Sequence, residues 1–120
     1  MNLSLLKSNV NLKSEIKVTG SKSESNRLLL LQALFSDIEI NNISNSDDAV
    51  VMQKGLKSQT NVIDIHHAGT AMRFLTAFFA TQEGREVLLT GSERMQERPI
   101  KTLVDALKQL GARITYEKNE

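Results

Sequence analysis

Basic and hydroxyl side chains follow Gly20 in a run that is suited to holding an anion. Lys22 supplies a mobile ammonium group, Ser23 a short hydroxyl donor, and Arg27 a planar guanidinium that fits a carboxylate or a phosphate. The free N–H groups and the positive dipole end of a helix start would add to the attraction. The Walker A spacing is absent, so the run is not a P-loop. A capped helix with solvated basic side chains explains the same residues without a ligand, and this alternative stays open.

A second polar segment runs from His66 to Arg73. Gly69 lets a ligand approach the backbone closely, and Thr70 can cap a helix or donate a hydrogen bond. The adjacent histidines His66 and His67 raise the question of a metal. Neighbouring residues of a strand point to opposite faces, however, and no third ligand stands at a recognisable spacing. The sequence therefore predicts no metal centre here.

A third polar segment begins at Gly91 and contains two arginines and two glutamates. Arg94 is predicted to lie in a loop, from which it can project into a cleft. Arg98 precedes a predicted helix, where a cation is mildly disfavoured unless an anion or a carboxylate lies near it. Glu93 and Glu97 could be that carboxylate partner, which is the alternative to a bound ligand. Neither acid has the paired context that general acid–base catalysis requires.

Each polar segment is predicted to connect a strand to a helix. Helix starts are indicated by the S-x-x-E capping box at Ser21, by the caps and acids of 45–48, by the turn before Ala71, and by Pro99. Gly111 is expected to close the last helix. Helices are predicted over 47–56 and 71–81, and strands over 15–19, 39–43, 62–65, 85–90 and 113–117, with 85–90 the most buried. Alternating strands and helices predict an α/β fold.

The three segments are expected to converge on one cleft at one end of the molecule. A short repeat indicates that two of these segments have the same position between a strand and a helix. Thr-Gly-Ser, followed after five residues by Arg, occurs at 19–27 and again at 90–98. A match of four residues arises easily by chance.

Composition limits the class of protein. The chain has 120 residues, 40% of them hydrophobic, and 15 basic against 14 acidic side chains. These values exclude a disordered or fibrous protein. The net charge of +1 and the 4% aromatic content argue against a nucleic-acid partner. The absence of Cys excludes disulfides, thiolate zinc sites and a cysteine nucleophile. The longest apolar runs, such as Leu28–Leu31, have four residues, so neither a signal peptide nor a membrane span is predicted and a cytoplasmic location is expected.

Four motifs, in this order, resemble the 5-enolpyruvylshikimate-3-phosphate synthase family. They are Gly-Ser-Lys-Ser-x-Ser-Asn-Arg at 20–27, Asn-Ser-Asp-Asp at 45–48, Ala-Gly-Thr-Ala-Met-Arg at 68–73 and Arg-Met-x-Glu-Arg-Pro-Ile at 94–100. The resemblance runs from about Val18 to Tyr116. It implies an enzyme that transfers the enolpyruvyl group of phosphoenolpyruvate to the 5-hydroxyl of shikimate 3-phosphate and releases phosphate, with no metal or organic cofactor. It also implies repeated β-α-β-α-β-β units, with helices packed on small mixed sheets.

The resemblance also implies roles for individual residues. Lys22 resembles the lysine that contacts both substrates near the reacting hydroxyl, while Ser23 and Arg27 resemble ligands of shikimate 3-phosphate. Gly69 and Arg94 resemble ligands of the phosphate of phosphoenolpyruvate. Secondary contacts are expected from His67, Thr70, Arg73 and Arg98. Two positions depart from the family, because His67 stands where Asn is common and Phe74 where Pro often follows Met-Arg.

The family enzyme is much longer than this chain and has two similar domains with the active site between them. The resemblance therefore implies a single partial domain over 1–120, with 1–19 as a first-strand segment and 20–120 as a substrate-binding portion. This N-terminal portion is expected to be monomeric and to be inactive without the C-terminal part of the same enzyme. The segment between Leu56 and Val62 is shorter than in many relatives, which suggests a missing hairpin.

Two other functions stay open. The related UDP-N-acetylglucosamine enolpyruvyl transferases have Lys-Asn where this chain has Lys22 and Ser23, and the Ser-Asn-Arg that follows at 25–27 favours the shikimate family. A non-catalytic domain that binds an anion or a protein partner would need the same three polar segments.

Overall fold

Helices are the main regular elements of the structure, which is a computed structural model that describes residues 1–118. The elements, in chain order, are α1 (Lys22–Leu34), α2 (Asp47–Lys57), β1 (Val62–Asp64), α3 (Gly69–Ala80), β2 (Leu88–Thr90), α4 (Glu93–Gln96) and α5 (Lys101–Gln109). Strands β1 and β2 are parallel, with Val62 opposite Leu88 and Asp64 opposite Thr90. Helix α3 is thus the crossover of a β-α-β unit, and the chain has a mixed α/β fold.

The apolar core lies where α1, α2 and α3 pack beside β1. Ile65 and Leu75 are fully buried at its centre, together with Met52 of α2. Gly55 lets α2 approach α3 closely, because a Cβ at this position would lie 2.5 Å from Cδ1 of Leu75. The core thereby fixes the relative positions of the three helix starts.

Side-chain caps define several of these helix starts. The hydroxyl of Ser21 accepts a hydrogen bond from the N–H of Glu24, as the capping box predicts, and Ser46 accepts one from Ala49. Helix α5 begins at Lys101, two residues after Pro99, and Gly111 follows its end with a φ of +98°. The predicted starts of α1 and α2 are confirmed, and α3 begins two residues earlier than predicted.

Three predicted strands are wrong, because 15–19, 39–43 and 113–117 form no strand. Alternation produces an apolar face, but a strand also needs a hydrogen-bonded neighbour, and the described sheet contains only β1 and β2. Ile40 and Ile43 still pack against the core from irregular backbone. The strand predicted over 85–90 is reduced to β2, where Leu88 is 42% exposed instead of buried. The segment predicted as a loop at Arg94 contains α4.

The first nineteen residues are exposed throughout. Ile16 and Val18, the apolar face of the first predicted strand, are 81% and 70% exposed. At the end of this segment, Thr19 donates a hydrogen bond to the side chain of Asn45, and Asn42 donates one to the carbonyl of Val18. Within the described part of the chain, no helix combines the length and apolarity that crossing a membrane requires.

Candidate functional site

A cleft of about 500 Å³ lies where the starts of α1, α2 and α3 meet the segment before α5. Residues of all three polar segments contribute to it. Its lining comprises Lys22, Arg27, Asp48, His67, Gly69, Thr70, Arg73, Phe74 and Arg98. Four of these side chains are cationic and one is a carboxylate, so the cleft is suited to an anion.

The N-terminus of α3 forms one wall of this cleft. The chain turns from β1 into α3 at His66, whose φ is +55° and whose N–H donates to the carboxylate of Asp64 at 2.7 Å. Ala68 is the N-cap and offers no side-chain acceptor, so no side chain caps the N–H groups of the first turn. These N–H groups and the positive end of a twelve-residue helix are available to an anion beside Gly69.

Two guanidinium groups converge on Gly69. Arg73 donates from Nη1 to the carbonyl of Gly69 at 3.0 Å and from Nη2 to the carbonyl of Pro99 at 2.9 Å, which fixes it across the segment before α5. Arg98 lies so close that a Cβ on Gly69 would be 2.5 Å from its Nη1. Glycine is therefore required here to let the guanidinium reach the start of α3.

No carboxylate among residues 1–118 lies within ion-pair distance of Arg98. The alternative in which Glu93 or Glu97 neutralises Arg98 is therefore wrong for this structure. Because a cation near a helix N-terminus is unfavourable on its own, an anion at Gly69 would stabilise the arrangement.

Lys22 and Arg27 enter the cleft from α1. The ammonium of Lys22 lies 3.8 Å from Oδ2 of Asp48, and the two side chains are 50% and 16% exposed. Arg27 donates to the carbonyl of Ser23 at 2.9 Å, and its guanidinium lies 5.9 Å from the ring centroid of Phe74, within range of a cation–π contact. This leaves most of the Arg27 donors directed to the cleft or to solvent.

His67 lies at the edge of the cleft, where Nε2 is 3.8 Å from Oδ2 of Asp47. The two side chains are 67% and 86% exposed, so the pair contributes little to stability. The rings of His66 and His67 make an edge contact at 5.4 Å. Residues 1–118 contain no group of three or more His, Asp or Glu side chains that could hold a metal ion.

The structure brings together seven of the nine predicted site residues: Lys22, Arg27, His67, Gly69, Thr70, Arg73 and Arg98. Ser23 and Arg94 are not part of this lining. Ser23 is exposed in the first turn of α1, and Arg94 is exposed on α4, one turn before Arg98.

Sequence reasoning missed two residues of the lining, Asp48 and Phe74. The sequence shows Asp48 as an acid at a helix N-terminus and as part of the motif at 45–48, and its spacing from Lys22 along the chain gives no sign of their contact. Phe74 differs from Pro, which is frequent at this position in the family. It is half-buried and packs against the core, but its ring also faces Arg27. The departure from Pro at this position was the signal that could have drawn attention to it.

Comparison with known proteins places these features in a family. The family model of EPSP synthase (3-phosphoshikimate 1-carboxyvinyltransferase) matches residues 39–120, more than half of the chain. The chain belongs to the EPSP synthase family. The predicted resemblance is confirmed, and the family match favours this assignment over the UDP-N-acetylglucosamine enolpyruvyl transferases.

Curated relatives carry the same family name. The 3-phosphoshikimate 1-carboxyvinyltransferase of Bacteroides fragilis strain YCH46 is 49% identical over 117 residues, which are 97% of this chain and 28% of the relative. The enzyme of the same name from Shewanella sp. strain MR-7 is 42% identical over 138 aligned positions, covering 92% of this chain and 32% of the relative. No solved structure gives a significant match.

The chain thus spans about 30% of the length of the curated relatives that it matches most strongly. The alignment with the Shewanella enzyme has more positions than this chain has residues, so that relative contains inserted residues. The alignment with the Bacteroides enzyme, at 117 residues, is not longer than this chain. The short connection between Leu56 and Val62 stays a prediction.

Proposed function

We propose that this chain forms part of the substrate site of a 3-phosphoshikimate 1-carboxyvinyltransferase. The complete protein would transfer the enolpyruvyl group of phosphoenolpyruvate to the 5-hydroxyl of shikimate 3-phosphate. In this reaction the hydroxyl loses its proton as its oxygen bonds to C2 of phosphoenolpyruvate, and the methylene carbon takes a proton to become a methyl group. The tetrahedral intermediate then expels phosphate while the methyl group loses a proton, which restores the carbon–carbon double bond. The observation that supports the proposal is the cationic cleft at the start of α3, to which all three family motifs with basic residues contribute.

Both substrates are anions, so their mutual repulsion must be offset before they react. In the proposal, Lys22 contacts both substrates, because its side chain lines the cleft and is half exposed. Arg27 holds shikimate 3-phosphate with its planar fork, and Ser23 completes that contact from the first turn of α1.

The phosphate of phosphoenolpyruvate is assigned to the start of α3, beside Gly69. Arg73 and Arg98 converge there, and uncapped N–H groups of the helix are available. Arg94, one turn before Arg98 on the four-residue helix α4, is proposed to reach the same phosphate once a substrate is bound. Thr70 and His67 supply further donors at the rim of the cleft.

The remaining two thirds of the relatives' length has no counterpart in this chain. We propose that this missing C-terminal part supplies the other half of the site, and that residues 1–120 are one partial domain, with 1–19 reaching toward the missing part. The repeated β-α-β-α-β-β units of the family would then be completed by strands outside this chain. The monomeric state and the cytoplasmic location stay predictions.

The experiment measures phosphate released from phosphoenolpyruvate in the presence and absence of shikimate 3-phosphate. The protein that contains residues 1–120 together with the C-terminal part is expected to release phosphate only when both substrates are present. The 120-residue chain is expected to release none, although it retains the cleft. Turnover by the chain alone would contradict the assignment of half the site to the missing part. Absence of turnover by the complete protein would contradict the proposed function.

A further inference from the structure

Asn26 is a polar side chain that the fold buries completely. Its exposed fraction is 0%, and neither its amide nitrogen nor its amide oxygen has a hydrogen-bond partner within residues 1–118. A buried amide without a partner loses its hydrogen bonds to water on folding, which is why such groups are rare. A polar group near Asn26 that can share a hydrogen bond with its amide would explain why an asparagine is buried here.

Helix periodicity locates this neighbour. Lys22, Asn26 and Leu29 follow one another at four and three residues, so they share the face of α1 that meets α2. At one end of this face Lys22 pairs with Asp48, and at the other Leu29 joins the core cluster that contains Met52. Asp48 and Met52 are also one turn apart, on α2, so helix geometry would place Asn26 between these two contacts.

Oδ1 of Asp48, like the amide of Asn26, is buried and has no hydrogen-bond partner among the described residues. Its Oδ2 faces Lys22. Asp48 is also the one carboxylate in the cleft lining. A carboxylate that turned into the cleft would repel an anion, so the orientation of Asp48 matters for binding.

We propose that Asn26 is a positioning residue, whose amide N–H holds Oδ1 of Asp48 through one bridging water and keeps this carboxylate turned toward α1. Asp48 then partners Lys22 without presenting its charge to the bound anion. This inference rests on the proposed binding of an anion in the cleft. It explains how the cleft can bind an anion although the carboxylate of Asp48 is part of its lining.

The test measures the affinity of the 120-residue chain for inorganic phosphate by NMR titration. In Asn26→Leu, which keeps a similar branched shape, is somewhat larger and has no amide, the freed carboxylate is expected to weaken phosphate binding about three- to tenfold. In the Asp48→Asn background, where no charge is left to restrain, the same substitution is expected to change the affinity less than about twofold. A merely structural role of Asn26 would weaken binding equally in both backgrounds, which would overturn the proposal.

Urea unfolding of the same four proteins gives a second measurement. If Asn26 has no partner, Asn26→Leu stabilises the chain and leaves phosphate binding unchanged, and this result would also overturn the proposal. Should the leucine variant fail to fold, the matched pair Asn26→Ser and Asn26→Ala replaces it. Serine keeps a donor and is expected to bind phosphate more tightly than alanine, but only while Asp48 is present. Equal affinities of the two variants would contradict the proposal.

The outcomes separate this inference from the proposed function. Loss of carboxyvinyl transfer in the complete protein would leave the coupling between residues 26 and 48 intact. Failure of the unsubstituted chain to bind phosphate would overturn the role of Asn26 in anion binding. If Asn26→Leu and Asp48→Asn have additive effects on the free energy of unfolding, the two side chains do not interact.

Discussion

The guanidinium of Arg98 lies against Gly69, where an added Cβ would be 2.5 Å from Nη1. Gly69 begins α3, whereas Arg98 belongs to the segment that precedes α5. The contact therefore joins two polar segments that are separated in the sequence by the rest of α3 and by the strand β2. Their convergence places a cation at a helix N-terminus, where an anion is the natural partner of both.

The first prediction follows from this contact and concerns Gly69→Ala. The new Cβ is expected to displace Arg98, which can move because its guanidinium ends a flexible side chain. Stability is expected to change by about 1 kcal/mol or less. The affinity for inorganic phosphate, measured by NMR titration, is expected to fall about tenfold, as for loss of a charged hydrogen bond.

Arg98→Ala provides the matched control for this prediction. It is expected to weaken phosphate binding by a similar factor, and Gly69→Ala is expected to cause no further loss in the Arg98→Ala background. Unchanged affinity of the single variant Gly69→Ala would show that Arg98 does not bind the phosphate.

Local signals were sufficient to predict four of the five helices, and α4 was not among them. The capping serines Ser21 and Ser46 each act within three residues, so the starts of α1 and α2 could be predicted from neighbouring residues alone. The family motifs then identified Lys22, Arg27 and Gly69, which the core places in one cleft.

What the sequence could not show depends on partners distant along the chain. The segments 15–19, 39–43 and 113–117 have the alternation of strands, but alternation does not specify which strand pairs with which. The contact between Lys22 and Asp48 joins residues 26 positions apart and depends on how α1 packs on α2. Arg94 and Arg98 belong to the same motif, and only the three-dimensional arrangement shows that Arg98 is the one that lies against Gly69.

The second prediction concerns the packing of Gly55 against Leu75. Gly55→Ala is expected to destabilise the chain by about 1–3 kcal/mol, because its Cβ would overlap Cδ1 of a fully buried leucine. Leu75→Ala is expected to cost about 2–5 kcal/mol through the cavity that it creates. Both free energies of unfolding are measured in urea.

The decisive measurement combines these two substitutions. In the Leu75→Ala background no Cδ1 is present, so Gly55→Ala is expected to become stabilising by up to about 1 kcal/mol, the helix propensity gain of alanine over glycine. Leu34→Ala, at a half-exposed position of α1, serves as a control with a small effect. Simple additivity of the substitutions at positions 55 and 75 would contradict direct packing of the two residues.

The third prediction concerns the contact between Phe74 and Arg27. Phe74→Leu keeps an apolar side chain but removes the ring that attracts the guanidinium at 5.9 Å. Since an exposed cation–π contact contributes about 0.5–1 kcal/mol, the affinity for shikimate 3-phosphate is expected to fall about two- to fivefold. Phe74→Tyr is expected to retain the affinity. If the leucine and tyrosine variants bind equally well, the ring does not position Arg27.

The last prediction separates the roles of Lys22 and Arg27 in the complete protein. Lys22 is expected to act at the reacting centre, because a compact ammonium can contact the attacking hydroxyl and phosphoenolpyruvate as charge shifts between them. Arg27 is expected to hold a carboxylate in a two-pronged pair that is present before and during the reaction. Lys22→Ala should therefore lower the turnover number by about two to three powers of ten. Arg27→Ala should chiefly raise the Michaelis constant for shikimate 3-phosphate.

Steady-state kinetics of both variants test these roles, after circular dichroism confirms that each is folded. Arg27→Lys is the matched control, since it keeps the charge and loses the planar fork, and it is expected to recover little of the affinity. The contact of Lys22 with Asp48 provides a further check, because Asp48→Asn should not reproduce the loss of turnover if the ammonium itself is the required group. Near-normal turnover of Lys22→Ala would show that another group serves the reacting centre. Loss of turnover in Arg27→Ala without weaker binding of shikimate 3-phosphate would reverse the assignment of the two residues.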